Sequence, residues 1–181
     1  MPAIDKILTV DEMKRVAHRR VPKMFFEYAD SGSYTEGTYR DNESDFQKIL
    51  LNQKVAVNLE GRNLKTTMLG REITMPVAIA PAATGGMQRA DGEIKAARAA
   101  EKFGIPYALS TMSVCSIEDI AEITTAPFWF QLYVMRDRDF VYRLIDRAKA
   151  AKCSALVLTM DLQILGQRHK DIRNGLATPP K

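Results

Sequence analysis

Residues 128–134 read Phe128-Trp129-Phe130-Gln131-Leu132-Tyr133-Val134. In an extended strand, alternation sends Phe130, Leu132 and Val134 to one face and Trp129, Gln131 and Tyr133 to the other. The first face is purely apolar. The second sets an amide and a phenol side by side near the strand end. Two readings stay open for that pair: a ligand contact, in which Gln131 offers donor and acceptor to a heterocycle edge, or a buried polar pair satisfied by backbone. Downstream, Asp137 opens a segment with Phe140, Val141, Leu144, Ile145 and Ala148 on one helical face. The apolar run Ala155 to Thr159 follows and closes in Met160-Asp161.

The same alternation of elements extends upstream. Val77-Ala-Ile-Ala80 is an apolar run ended by Pro81, and Ile94, Ala97, Ala100 and Phe103 then recur at helical spacing before Gly104. Tyr107-Ala-Leu-Ser110 reads as a strand, and Ser116-Ile-Glu-Asp119 reads as a helix start leading into Ile120 and Ile123. Strands alternating with helices imply right-handed βαβ units and a parallel sheet. Two architectures fit: a small doubly wound domain, or the first half of a (β/α)8 barrel, whose full length is about 250 residues. Both place their sites at the C-terminal ends of the strands. There the sequence has Pro81-Ala82-Ala83, Ser110-Thr111, Gln131 with Tyr133, and Thr159. Ala82-Ala-Thr-Gly-Gly86 lacks the G-x-G-x-x-G spacing, which argues against a Rossmann dinucleotide site.

Ahead of this region, Thr9-Val-Asp-Glu12 has the form of a capping box, with Met13, Val16 and Ala17 at helical spacing behind it. Pro22 opens a second short helix that Gly32 can end, and its Phe25, Phe26 and Tyr28 read as core aromatics. Residues 33–48 read as loop plus a short helix. Thr66 to Leu69 and Glu72 to Met75, with Gly70-Arg71 between, read as a hairpin. The expected organisation is one domain, with helices and hairpin over 1–75 and four strands with their helices over 76–181.

The composition fits one ordinary domain. The 181 residues are 46% hydrophobic and 27% charged, with Gly 10 and Pro 8, which excludes disordered and collagen-like chains. Lys+Arg 26 against Asp+Glu 22 gives a net charge of +4. The basic residues are interleaved with acids, so no nucleic-acid partner is expected. The longest apolar stretch, Met75 to Ala83, is too short to cross a bilayer. The N-terminal residues lack the apolar core of a secretory signal. The two cysteines, Cys115 and Cys153, have no CxxC spacing and read as small buried side chains in a reducing compartment. His18 and His169 stand apart in charged surroundings, so no metal is expected. Arg168, Lys170 and Arg173, in the segment Gly166-Gln-Arg-His-Lys-Asp-Ile-Arg173, form either a solvated basic loop or a receptor for a carboxylate or phosphate.

Six segments together carry a family resemblance: Phe26-Glu-Tyr-Ala-Asp-Ser-Gly32, Ile79-Ala-Pro-Ala82, Leu109-Ser-Thr111, Phe130-Gln-Leu-Tyr133, Leu158-Thr-Met-Asp161 and Leu165-Gly-Gln-Arg168. The chain resembles the FMN-dependent 2-hydroxy-acid dehydrogenases and oxidases over essentially its whole length. Ser110-Thr-Met-Ser-Val-Cys115 and Trp129 to Arg138 look most like the bacterial quinone-linked L-lactate dehydrogenase branch.

The resemblance implies a (β/α)8 barrel with FMN at its C-terminal face, of which this chain supplies the N-terminal segment and about the first four βα units. Pro81, Ala82 and Ala83 would lie along the flavin, and Ser110, Gln131 and Thr159 would hydrogen-bond it. Tyr28 and Arg168 would bind the substrate carboxylate, and Tyr133 would contact the substrate oxygen and act in catalysis. This replaces core packing as the reading of Tyr28 and an idle surface as the reading of Arg168. The implied reaction is oxidation of an L-2-hydroxy acid, foremost L-lactate to pyruvate, with electrons passed to a quinone or to oxygen. The family's catalytic His, main carboxylate-binding Arg and a Lys near the flavin lie in the second half of the barrel. The chain alone is therefore expected to be inactive and to need a complementary C-terminal half. Two positions depart from other branches: Met112 stands where the glycolate oxidase branch has Trp, and Ala82 where many members have Thr. The family also implies a homo-oligomer, a tetramer when complete, that is cytoplasmic or peripheral on the inner face of the membrane. The alternatives are an oxygen-using oxidase of glycolate- or mandelate-type acids and a non-catalytic half-barrel.

Overall fold

The structure is a computed structural model and describes residues 6–162 and 164–176. The closing segment Ala177 to Lys181 lies outside the described residues, as do residues 1–5. The chain divides into two compact units, Asn58–Gln163 and Met1–Val57 with Ile164–Lys181.

The first of these units opens with the hairpin of β1 (Thr66–Met68) and β2 (Arg71–Ile73), in which Met68 pairs with Arg71. The two turn residues are therefore Leu69 and Gly70, one place earlier than the Gly70-Arg71 expected. Both take positive φ, 48° and 78°, as a type I′ turn demands for strands of right-handed twist.

The first parallel strand is reduced to a bridge between Ile79 and Tyr107. The Ile79 amide donates to Pro106 O at 2.9 Å and the Ala108 amide to Ile79 O at 3.1 Å. Pro76 and Pro81 have no N–H to give a ladder, and the Val77 amide turns back to Met75 O. The remaining strands are β3 (Ala108–Ser110), β4 (Trp129–Leu132) and β5 (Ala155–Leu158), all parallel in the order β3-β4-β5.

Helices α4 (Gly85–Gln88), α5 (Gly92–Phe103), α6 (Ile117–Ile123) and α7 (Arg138–Ala150) connect these strands. Their ends follow from local chemistry. Gly104 terminates α5 at φ 67°, and a Cβ there would meet Thr74 Cγ2 at 2.6 Å. Ser116 and Asp119 form a reciprocal capping box on α6. The Asp137 carboxylate accepts the Phe140 amide at 3.0 Å to start α7.

The core lies between these helices and one sheet face. It joins Ala97 and Ala100 of α5, Ile117 and Ile120 of α6, and Val141, Leu144 and Ala148 of α7 to Leu109, Phe130 and Leu132. Burial falls abruptly along the sheet. Leu109, Phe130 and Leu156 share one register row on that face, with exposures of 0%, 2% and 47%. The next row repeats the step, from Leu132 at 2% to Leu158 at 48%. The helices cover β3 and β4 but leave this face of β5 open.

The second unit is helical: α1 (Val10–Arg20), α2 (Lys23–Ala29), α3 (Gly37–Ser44) with a 3-10 turn over Asp45–Lys48, and α8 (His169–Arg173), which packs on α2. Thr9 and Glu12 form the expected capping box on α1. Phe25 and Phe26, expected in a core, are half-buried, and His18 packs edge-on against Phe26 with ring centroids 4.9 Å apart.

Candidate active site

The C-terminal ends of β3, β4 and β5 bring Ser110, Gln131 and Thr159 together on the sheet face opposite the helices. Ser110 and Gln131 are register neighbours and are 2% and 1% exposed. A buried amide needs its partners nearby, since an unpaired polar atom there is costly. Gln131 Oε1 accepts from Ser110 Oγ at 3.1 Å and from the Thr111 amide at 3.2 Å. Its Nε2 donates to Thr159 Oγ1 at 2.8 Å. Two donors fill the carbonyl oxygen. Among the described residues, one amide N–H of Gln131 and the Thr159 hydroxyl hydrogen remain to serve a further acceptor. The alternation that set Gln131 apart from Phe130 is observed, and the amide is oriented by side chains as well as backbone.

Thr111 braces the constellation and drew no separate reading from sequence. Its Oγ1 donates to Gln131 O at 2.5 Å and accepts the Tyr133 amide at 3.2 Å, tying the start of the segment after β3 to the end of β4. A strand-end threonine carries no sequence signal for this bracing beyond its place after Ser110. Tyr133 is half-buried just past β4, and Met112 is half-exposed just past β3. Ala82 is exposed, with Pro81 and Ala83 half-buried beside it. This loop is joined to the one after β3 by the Thr84 amide, which donates to Met112 O at 3.1 Å.

Glu93, in the first turn of α5, was also missed by sequence reading, where a lone Glu reads as a surface residue. It is 3% exposed. Oε1 accepts the Val114 amide at 3.1 Å and Oε2 accepts the Cys115 thiol at 3.3 Å. Burial pushes its pKa up, but hydrogen bonds from the Val114, Glu93 and Gly86 amides and from Cys115 outweigh that and hold it below the usual carboxylate range. Burial, and then the Glu93 charge, push the Tyr107 phenol and the Cys115 thiol upward.

Tyr28 and Arg168 are brought together within the helical unit. Arg168 Nη2 donates to Tyr28 O and, at 3.0 Å, to Ser31 Oγ. Its Nε lies 2.7 Å from Asp171 Oδ2, and its guanidinium carbon sits 4.8 Å from the centre of the Tyr28 ring. Arg168 is thus a fixed, partly covered cation rather than a solvated one. Lys170 pairs with Glu36 at 3.3 Å and donates to Asp30 O. Arg173 is exposed. His169 is also exposed, edge-on to Tyr34.

A sequence model described as FMN-dependent dehydrogenase matches residues 17–181. The chain is similar to solved structures of the same kind. A glycine-to-alanine mutant of an active chimera of (S)-mandelate dehydrogenase is 36% identical, with a TM-score of 0.88 over 94% of this chain and 48% of that one. A putative lactate oxidase of Pediococcus acidilactici is 34% identical, again with a TM-score of 0.88 over 94% and 48%. A soluble mutant of the membrane-associated (S)-mandelate dehydrogenase of Pseudomonas putida is 34% identical, with a TM-score of 0.90 over 97% and 50%. The chain spans about half the length of these structures. Of the two architectures the sequence left open, the barrel is the observed one: the strands and helices are part of a (β/α)8 barrel, not closed among the described residues. The likeness in fold, the match over residues 17–181 and the identity above 30% place the chain in the FMN-dependent dehydrogenase family.

Proposed function

We propose that these residues form the flavin-holding half of an enzyme that oxidises L-lactate to pyruvate and passes the electrons to a quinone. The observation that carries the reading is the Gln131 cluster. A fully buried amide, fixed by Ser110, Thr111 and Thr159, keeps donor hydrogens at the C-terminal ends of parallel strands. Those donors suit the carbonyl-rich edge of an isoalloxazine ring, and the small side chains of Ala82 and Ala83 leave room for a flat ring beside backbone. FMN supplies acceptance of the two electrons that leave the hydroxy acid.

The protein's own residues do the rest. Ser110, Gln131 and Thr159 fix the ring edge, and Pro81, Ala82 and Ala83 line it. Tyr28 and Arg168 bind the substrate carboxylate, Arg168 as a pre-oriented cation. Tyr133 contacts the substrate oxygen and helps polarise it. The proton acceptor belongs to the complementary half of the barrel, which is the expected partner, in an assembly that is tetrameric when complete. Among the described residues no helix is long and apolar enough to cross a membrane. A cytoplasmic protein, peripheral to the inner membrane face, fits the quinone reading.

The test is to combine the chain with a complementary C-terminal half from the family and FMN. Turnover is then followed with L-lactate, glycolate and mandelate, against a quinone and against oxygen. Lactate turnover with quinone is the expected result. A flavin-loaded assembly that turns over glycolate or mandelate with oxygen would make it an oxidase. One inert toward all three acids would overturn the reading. The open face at Leu156 and Leu158 favours one second reading, a non-catalytic half-barrel that pairs with itself. A stable flavin-free dimer in size-exclusion chromatography would support that instead.

A further inference from the structure

We propose that Glu93 is a positioning residue, a buried carboxylate that locks the loop after the first strand to the loop after β3 and so holds both in place for the flavin. The role toward flavin rests on the reading above; the locking of the two loops does not.

Both loops meet at this one group. The Val114 amide and Cys115 thiol of the second loop donate to its carboxylate, and the Gly85 backbone of the first lies against it. A buried carboxylate held by neutral donors is an unusual choice where plain packing would serve, because its charge is lost to water. The surrounding glycines show how closely backbone wraps it. A Cβ on Gly85 would lie 3.2 Å from the Glu93 carboxyl carbon. One on Gly86 would meet Val114 Cβ at 2.7 Å, and one on Gly92 would meet Gly85 O at 2.5 Å. The two loops also touch directly, through the Thr84 amide and Met112 O. Pro81–Ala83 and Ser110–Thr111 immediately precede these ties, so Glu93 helps to fix their spacing.

Glu101 provides the internal contrast. It lies on the same helix, at the opposite end, and its Oε1 accepts the Thr125 amide, the Thr125 hydroxyl and the Ala126 amide at 2.7, 2.6 and 2.8 Å. It too staples a loop, but one at the N-terminal edge of β4, away from the strand ends that carry Ser110 and Gln131.

The experiment compares Glu93→Gln with Glu101→Gln in the full chain. Amide hydrogen exchange is read first. Glu93→Gln places an N–H where a donor must be accepted, so exchange should rise at least tenfold at both 84–88 and 111–115, with faster alkylation of Cys115. Glu101→Gln should raise exchange only near Thr125 and Ala126. FMN affinity is then read by flavin fluorescence in the chain assembled with its complementary half. It should weaken at least tenfold in Glu93→Gln, with a changed visible spectrum, and stay near wild type in Glu101→Gln. Should Glu93→Gln fail to fold, Glu93→Asp keeps the charge with a shorter reach and should lose protection at Val114 while retaining the fold. Unchanged protection in either loop overturns the assignment, as does equal loss of FMN affinity in the two glutamine variants. A wild type that holds no FMN would remove the flavin reading, while the exchange data would still decide whether Glu93 joins the loops.

Discussion

Gln131 Nε2 and Thr159 Oγ1 are joined at 2.8 Å across the ends of two neighbouring strands. The bond consumes one donor of a side chain that is 1% exposed and leaves its other amide hydrogen available among the described residues. Removing either partner should therefore separate stability from flavin binding. Gln131→Leu strands the Ser110 hydroxyl hydrogen, while the Thr111 amide keeps its bond to Gln131 O, and should cost about 1–3 kcal/mol. Thr159→Val, in a half-buried position, should cost about 1 kcal/mol or less while still weakening FMN binding. Urea unfolding of the chain gives the first quantity, and FMN titration of the assembled protein gives the second.

The pair of Glu118 and Arg147 sets an acid limit. The two side chains meet through two contacts of 2.8 and 2.6 Å. The hydrogen bonds to Arg147 hold the Glu118 carboxyl down at about 2. Its folded value lies below its unfolded one, so the pair's stabilisation is present above about pH 4.5 and is lost as pH falls toward 2. Both groups are substantially exposed, so solvent limits the effect to under about 1 kcal/mol. Unfolding of Glu118→Gln at pH 7 and pH 2.5 checks this: the variant should be weaker than wild type only at the higher pH.

Two glycines should respond in opposite directions to alanine. Gly104 has φ 67° and faces Thr74 Cγ2, so Gly104→Ala adds backbone strain and a clash, and should destabilise by about 1–3 kcal/mol. Gly37 begins α3 with open space where a Cβ would go, so Gly37→Ala should stabilise by about 0.4–1 kcal/mol. Thermal unfolding of both variants tests the pair.

Both thiols should resist alkylation at neutral pH. Burial pushes Cys153 up to about 11, and burial together with Glu93 raises Cys115. For Cys153 the folded value exceeds the unfolded one. Its contribution is thus complete below about pH 8.5 and fades as pH rises through 11. Iodoacetamide labelling followed from pH 7 to 11 by mass spectrometry should show Cys153 reacting only near the top of that range. Rapid labelling at pH 7.5 would contradict the burial.

Much of the sheet was legible because its signals are local. The capping boxes at Thr9 and Ser116, the Asp137 cap and the Gly104 stop are each written within four residues. The alternation around Gln131 separates Phe130 and Leu132, which join the core, from Gln131 on the opposite face. The first strand was overestimated because Pro76, Pro81 and the turned-back Val77 amide cut its ladder to one bridge. Phe25 and Phe26 were assigned to a core that the helical unit does not close around them. Glu93 could not be read because its meaning lies in contacts 21 and 22 residues away. Arg168 was legible as a cation but not as one already engaged by Asp171, Ser31 and Tyr28, since two of those ties span 137 residues or more and the third requires the short helix α8.

The uncovered leucines of β5 also bear on synthesis. Ribosomes extend chains at about 5–20 residues per second. In a longer polypeptide, residues equivalent to Leu156 and Leu158 would leave the ribosome seconds before any later segment able to shelter them. Over that interval a nascent chain would present an open apolar strand face to its neighbours on the same message. Chaperone binding at β5 would have its greatest effect in that interval.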